Sequence, residues 1–181
     1  SLPLGDMVEG MLNTSDNVVA EMLSRQVAVA AGQPASFVGG AAAVTGTLAG
    51  LGVPTLHAHI VDGSGLAKAD TLTTELLTAV LTVATRPDHA GLRDLFSGLP
   101  VAGYSGTLVD RYSAKDGTAA GAGLVRAKTG TLGGVSSLAG LVVTASGRLL
   151  AFAVIADEIT TGSHLAEIAL DKVAASLAGL T

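Results

Sequence analysis

The sequence predicts an α+β fold: a run of helices, then an antiparallel sheet, then a covering helix. Three observations carry this. Apolar residues recur at helical spacing through the first hundred or so positions. After Gly123 the pattern changes to three strand-like runs joined by short turns. The end of the chain returns to helical spacing. Helices and strands are segregated rather than alternating, which separates α+β from a parallel α/β sheet. At 181 residues, with no internal repeat and no linker, residues 1–181 are expected to form a single domain with a substantial core.

The elements follow in order. Asp6 to Leu12 has Met7, Val8, Met11 and Leu12 on one side of a short helix. Asn13-Thr14-Ser15-Asp16-Asn17 breaks it, because these side chains compete for backbone hydrogen bonds and prefer caps and turns. Val18 to Ala31 reads as the next helix, with Val19, Met22, Leu23, Gln26 and Val27 near one face, stopped by Gly32 and Pro34. Ser36 is placed to cap a third helix, Phe37 to Leu51, which four glycines weaken. Thr55 to Val61 reads as a strand ended by Asp62-Gly63-Ser64-Gly65. Thr73 or Thr74 caps an apolar helix through Ala84, and Asp88 to Phe96 makes a shorter one. Ser97 to Gly123 is loop-rich, with a helical turn near Thr107 to Arg111.

The strands are Leu124 to Thr131, Val135 to Ala145 and Arg148 to Ala156, with a tight hairpin at Ala145-Ser146-Gly147. A helix from His164 to Leu180, capped by Ser163, places Ala166, Leu170, Val173, Leu177 and Leu180 on one stripe.

Composition removes several function classes. The net charge of −5, without a Lys/Arg cluster, argues against nucleic acid. Zero cysteines excludes thiol nucleophiles, disulfides and Cys-ligated zinc. No cofactor and no metal is expected: His57 and His59 share a strand face but lack a third ligand. The glycine-rich stretch from Gly39 lacks the Gly-Lys-Ser/Thr ending of a phosphate loop. The longest purely apolar run, Leu149 to Ala156, falls far short of the ~20 residues of a spanning helix. The N-terminus has no signal peptide and no initiating Met. The chain is therefore expected to be a piece of something longer, with any export signal removed or upstream.

The most informative stretch is Arg126 to Gly134. A strand carrying Lys128, Thr129, Gly130 and Thr131 alternates its side chains, so two hydroxyls share one side and the ammonium takes the other. That arrangement suits a substrate carboxylate, and Gly130 leaves the edge bare for an extended peptide added as a further strand. Ser15-Asp16-Asn17 offers a hydroxyl and a carboxamide two residues apart. The same triplet is also an ordinary helix-capping turn. Asp157-Glu158 reads as a solvated turn, and no Gly-x-Ser-x-Gly nucleophile elbow occurs.

Together, Ser15-Asp16-Asn17 and Lys128-Thr129-Gly130 make two of the three motifs found in penicillin-binding proteins and β-lactamases. Ser1-Leu2-Pro3-Leu4, Met11-Leu12 and Ala20-Glu21-Met22-Leu23 extend the likeness, as do Asp62-Gly63-Ser64-Gly65-Leu66, Leu99-Pro100-Val101-Ala102-Gly103 and Gly106-Thr107-Leu108. In this order, the stretches resemble D-alanyl-D-alanine carboxypeptidase/endopeptidases of the penicillin-binding protein 4 type, over nearly the whole chain.

The resemblance implies a β-lactamase/transpeptidase-like fold and serine acyl transfer on peptidoglycan stem peptides, with β-lactams bound by the full domain. It implies that Ser15 relays a proton to the leaving amine and that Asn17 bonds the substrate backbone. Lys128 would supply positive potential and support Ser15. Thr129 and Thr131 would hold the terminal carboxylate, with the Thr131 N–H as one oxyanion donor. Asp62, Ser64 and Thr107 would be structural.

The departure is that no Ser or Thr has Lys three residues later; Ser113 to Lys115 is too short and Ser64 to Lys68 too long. The nucleophile helix and the N-terminal strands are therefore expected upstream. The chain alone should be inactive and should expose an apolar third strand, so that it self-associates or pairs with its missing half. The expected location is outside the cytoplasmic membrane, in the periplasm or cell wall. The alternatives are a non-catalytic module of the same fold that binds stem peptides or a partner and, ranked lower, a serine β-lactamase fragment.

Overall fold

The computed structural model describes residues 2–181; Ser1, the first residue of the quoted likeness, lies outside them. Helix α1 (Leu4–Thr14) ends where Ser15 turns left-handed at φ 58°, ψ 49°. Helix α2 (Asn17–Ala30) starts two residues later, because the Asp16 carboxylate accepts the N–H groups of Val18 and Val19 at 2.9 and 3.0 Å. Helix α3 (Phe37–Gly50) packs on α2 and is capped by Ser36 Oγ, which accepts from the Gly39 N–H. Helix α4 (Thr74–Ala84) is capped in the same way by Thr73.

Strands β1 (Val125–Leu132), β2 (Val135–Val143) and β3 (Leu149–Ala156) form one antiparallel sheet in the order β1-β2-β3. The register pairs Thr129 with Leu138 and Leu138 with Val154. One face therefore carries Val125, Ala127, Leu138, Val142 and Phe152, which bury against α6 (Ser163–Ala178). The other carries Lys128 and Leu141, and there Leu141 packs with Leu81 of α4 and Leu99. The predicted α+β architecture is the observed one: an antiparallel sheet with helices on both faces.

Several local expectations are corrected. Residues 55–61 form no strand; His59 and Thr71 make a single antiparallel bridge. The partner segment cannot continue the ladder, because two residues later Thr73 caps α4, and His57 and His59 consequently share no strand face. The predicted helix from Asp88 to Phe96 is a 3-10 stretch, Pro87–Arg93, with a non-helical His89, followed by the short helix α5 (Asp94–Gly98).

Ser163 is the first residue of α6 rather than its cap; Gly162 holds that position at φ 91° and offers no side-chain oxygen. The buried stripe of α6 is also rotated from the predicted one. Leu170, Ala174 and Ala178 are buried at i, i+4 and i+8, while Val173 and Leu180 are close to half exposed. Alanine at the contact lets the helix sit close to β2, which a stripe of larger residues would prevent.

Candidate active site

The site forms where the break between α1 and α2 meets the middle of β1. The Lys128 Nζ donates to Ser15 Oγ at 2.7 Å and to the Thr129 carbonyl at 2.9 Å. Burial lowers the Lys128 pKa below the ordinary lysine value of 10.5. An ammonium that loses its proton more readily, bonded to a hydroxyl, is a short relay: Ser15 can pass a proton outward and draw one from the amine. Ser15 holds this position in a backbone conformation that costs a non-glycine residue about 1 kcal/mol, and such strain is retained where the surroundings impose it.

Those surroundings can be named. Asn13 Nδ2 donates to Ser105 Oγ, which also accepts the Val101 N–H, so the end of α1 is tied to the loop leading into β1. Gly106, at φ 54°, nests against the end of α1; a Cβ there would strike the Asn13 carbonyl and come within 2.9 Å of Pro100. Further along, Glu21 of α2 accepts the N–H groups of Gly63 and Ser64 at 3.0 Å each. Asp62 accepts those of Ser64, Gly65 and Ala67. The Asp62 to Gly65 loop thus braces α2. Burial alone would raise the Asp62 pKa, but these N–H groups hold it low; burial and the Asp62 charge raise that of Asp70.

The outer edge of β1 is half covered. The Ala102 N–H donates to the Val125 carbonyl and the Ala127 N–H to the Pro100 carbonyl. Odd-numbered residues therefore turn their backbone groups away from β2. By that parity the N–H groups of Thr129 and Thr131 face outward beyond the point where the Pro100 segment ends, and an extended peptide has a ladder to join there. Gly130 is of the other parity. Its missing side chain makes room for the Ser137 hydroxyl of β2, which a Cβ would strike, so its glycine serves the β1–β2 contact and not the bare outer edge the sequence suggested.

Thr129 and Thr131 lie on the α6 face, opposite Lys128, as alternation predicts. The Thr129 hydroxyl is 2.8 Å from that of Thr107, and the Thr131 hydroxyl donates to the Glu167 carboxylate of α6 at 3.3 Å. Asn17, at the start of α2, is exposed. Beside Thr131 opens a shallow cleft of about 230 Å³, bounded by Leu132, Gly134, Ile159 and Gly162.

Two contacts were not foreseen. Thr107 was expected to be only structural, and Glu167 carried no signal because helix spacing says nothing of which strand residue it meets. Among the described residues no cluster of three or more His, Asp or Glu side chains could hold a metal ion, and no helix is long and apolar enough to cross a membrane.

Comparison with known proteins gives a consistent result. Residues 1–177 match the family model described as the D-Ala-D-Ala carboxypeptidase 3 (S13) family. The chain is 43% identical over 177 residues to carboxypeptidase DacB of Mycolicibacterium smegmatis, covering 98% of this chain and 38% of that one. It is 35% identical over 167 residues to D-alanyl-D-alanine carboxypeptidase DacB of Haemophilus influenzae, covering 90% of this chain and 33% of the relative. A crystal structure of penicillin binding protein 4 from Haemophilus influenzae, in complex with a β-lactam, superposes with a TM-score of 0.83 at 29% identity. That superposition covers 98% of this chain and 42% of the other. The chain thus spans well under half the length of these relatives.

Proposed function

Because the chain belongs to the D-Ala-D-Ala carboxypeptidase 3 (S13) family, we propose that it is the C-terminal part of a serine D-alanyl-D-alanine carboxypeptidase/endopeptidase. Its substrates are peptidoglycan stem peptides, cleaved through an acyl-enzyme. The observation that carries this reading is the 2.7 Å contact between Lys128 Nζ and Ser15 Oγ, made beside an open β1 edge.

The roles follow from position. A stem peptide lies along β1 as an added strand, bonded to the outward backbone groups of Thr129 and Thr131. Asn17, exposed at the start of α2, bonds its backbone on the acyl side. The terminal carboxyl group of the leaving D-alanine meets the Thr129 and Thr131 hydroxyls. Cleavage passes the acyl carbon to a serine oxygen and then to water, and the leaving nitrogen takes up a proton through Ser15, which Lys128 supports. The Thr131 N–H is one donor to the oxyanion.

The nucleophile is supplied by sequence outside this chain, since no Ser or Thr here stands three residues before a Lys. The chain alone is therefore inactive. The upstream half packs on surfaces this structure leaves uncovered: the free edge of β3, with Leu149 at 57% exposure, and the α2 stripe of Val18, Met22 and Val29. A monodisperse, cooperatively melting monomer of the chain alone would count against that packing. Because the substrate is cell-wall peptide, the protein works outside the cytoplasmic membrane.

The missing Ser-x-x-Lys also supports a second reading, a stem-peptide-binding module without catalysis. One experiment separates the two. The chain is combined with the upstream half of the protein and exposed to a labelled penicillin. Covalent labelling supports the enzyme; stem-peptide binding without labelling supports the module.

A further inference from the structure

From the loop beside the outer edge of β1, we infer that Thr107 is a further positioning residue: it orients Thr129 for the carboxyl end of the substrate. The inference rests on the proposed acyl-transfer reading and adds a residue to that same site. The Thr107 and Thr129 hydroxyl oxygens are 2.8 Å apart, and either can donate. In both cases the bond holds the Thr129 side chain in one of the staggered rotamers open to it. Without such a partner Thr129 would share its hydroxyl among those rotamers, and the cost of ordering it would fall on substrate binding.

Thr107 can orient Thr129 because its own place is fixed. It lies on the 3-10 turn Gly106–Leu108, where the Gly103 N–H donates to the Leu108 carbonyl at 3.0 Å and the Leu108 side chain is fully buried. On one side of it Gly106 nests against the end of α1, and on the other Arg111 is bonded twice to Asp171. The same segment joins both parts of the site. Ser105 is bonded to Asn13, two residues before Ser15, and Thr107 reaches Thr129. One short, anchored stretch thus sets the relay hydroxyl and the carboxylate-binding hydroxyl in register.

A purely structural role fits Thr107 less well. Its side chain is exposed, and among the described residues the bond to Thr129 is the one its hydroxyl makes. A single exposed hydroxyl contact adds little to stability, so its removal should register in substrate binding and not in folding. Thr129 meets the carboxylate before and during the reaction alike, so the effect should appear in KM and not in kcat.

The experiment uses the protein completed with its upstream half and a peptide ending in D-Ala-D-Ala, with release of D-alanine followed. Thr107→Val keeps the shape and removes the hydroxyl; it is expected to raise KM about fivefold and to leave kcat within about twofold. Thr107→Ser keeps the hydroxyl and loses the methyl; it is expected to stay within about twofold of wild type in KM. A packing role predicts the reverse order. In a Thr129→Val background, Thr107→Val is expected to change KM by less than about twofold, because it acts through the hydroxyl already removed. The inference is overturned, with the acyl-transfer reading left standing, by any of four results: a Thr107→Val KM within about twofold of wild type, a Thr107→Ser protein as impaired as Thr107→Val, an undiminished loss in the Thr129→Val background, or a Thr107→Val protein that does not fold. Absence of acylation of the wild-type protein by a labelled penicillin overturns both.

Discussion

Asp171 is almost fully buried, with 4% of its side chain exposed, and among the described residues its positive partner is Arg111, at 17%. The pair is bidentate, and the guanidinium also holds the Glu167 carbonyl, so three bonds join the loop after Thr107 to α6. Asp171→Asn keeps the shape but leaves the guanidinium without its counter-charge in a site sealed by α6. Breaking a buried pair from one side costs about 3–5 kcal/mol, and the residual exposure of Arg111 puts this case near ~3 kcal/mol. For a chain of this length ~3 kcal/mol corresponds to a fall in Tm of roughly 6–12 °C. The neighbouring Tyr112 does not replace the lost anion, because burial, and then the Asp171 charge, keep its hydroxyl from ionising. Removing both charges, as Arg111→Met with Asp171→Leu, is expected to restore stability to within about 1 kcal/mol of wild type. The assay is urea or thermal denaturation of wild type, single and double variants. A single variant within about 1 kcal/mol of wild type, or a double variant as damaged as the single, would refute the reasoning.

Gly106→Ala is expected to destabilise by about 2 kcal/mol or more, because a Cβ meets the Asn13 carbonyl and Pro100 at a backbone angle of φ 54°; a denaturation midpoint near wild type would show that the loop does not need to nest there. Acylation of the completed protein should fall as pH rises through an apparent pKa below 10.5, because the relay draws its proton from the Lys128 ammonium and burial makes that ammonium give it up early. Stability changes in the opposite sense: charged Lys128 opposes folding at low pH, and the penalty is relieved as pH rises from the lowered value toward 10.5. A flat profile, or one centred at the ordinary lysine value, would contradict the buried relay.

The sheet was legible because it is written in local patterns. Period-two alternation in three successive runs fixed β1, β2 and β3 to within two residues at every end, and the Ser36 and Thr73 caps followed from single side chains. Residues 55–61 misled because a strand needs a neighbour as well as a composition, and the chain gives them one bridge partner. The face of α6 was misjudged because its contact uses alanines, which a search for large apolar residues passes over. At the site, alternation correctly separated Lys128 from Thr129 and Thr131, and the family likeness brought Ser15 toward Lys128. What the sequence could not supply were contacts between elements: Thr107 with Thr129, Thr131 with Glu167, and Gly130 with Ser137.

The central claim is that Ser15 and Lys128 act together as a proton relay beside the open edge of β1. In the completed protein, the acylation rate with a labelled penicillin, measured for Ser15→Ala and Lys128→Met separately and combined, tests it most directly. Each single change is predicted to slow acylation by about a hundredfold or more, and the pair little further, since two members of one relay are not additive. Single variants that acylate within about threefold of wild type, or losses that multiply in the double variant, would contradict it.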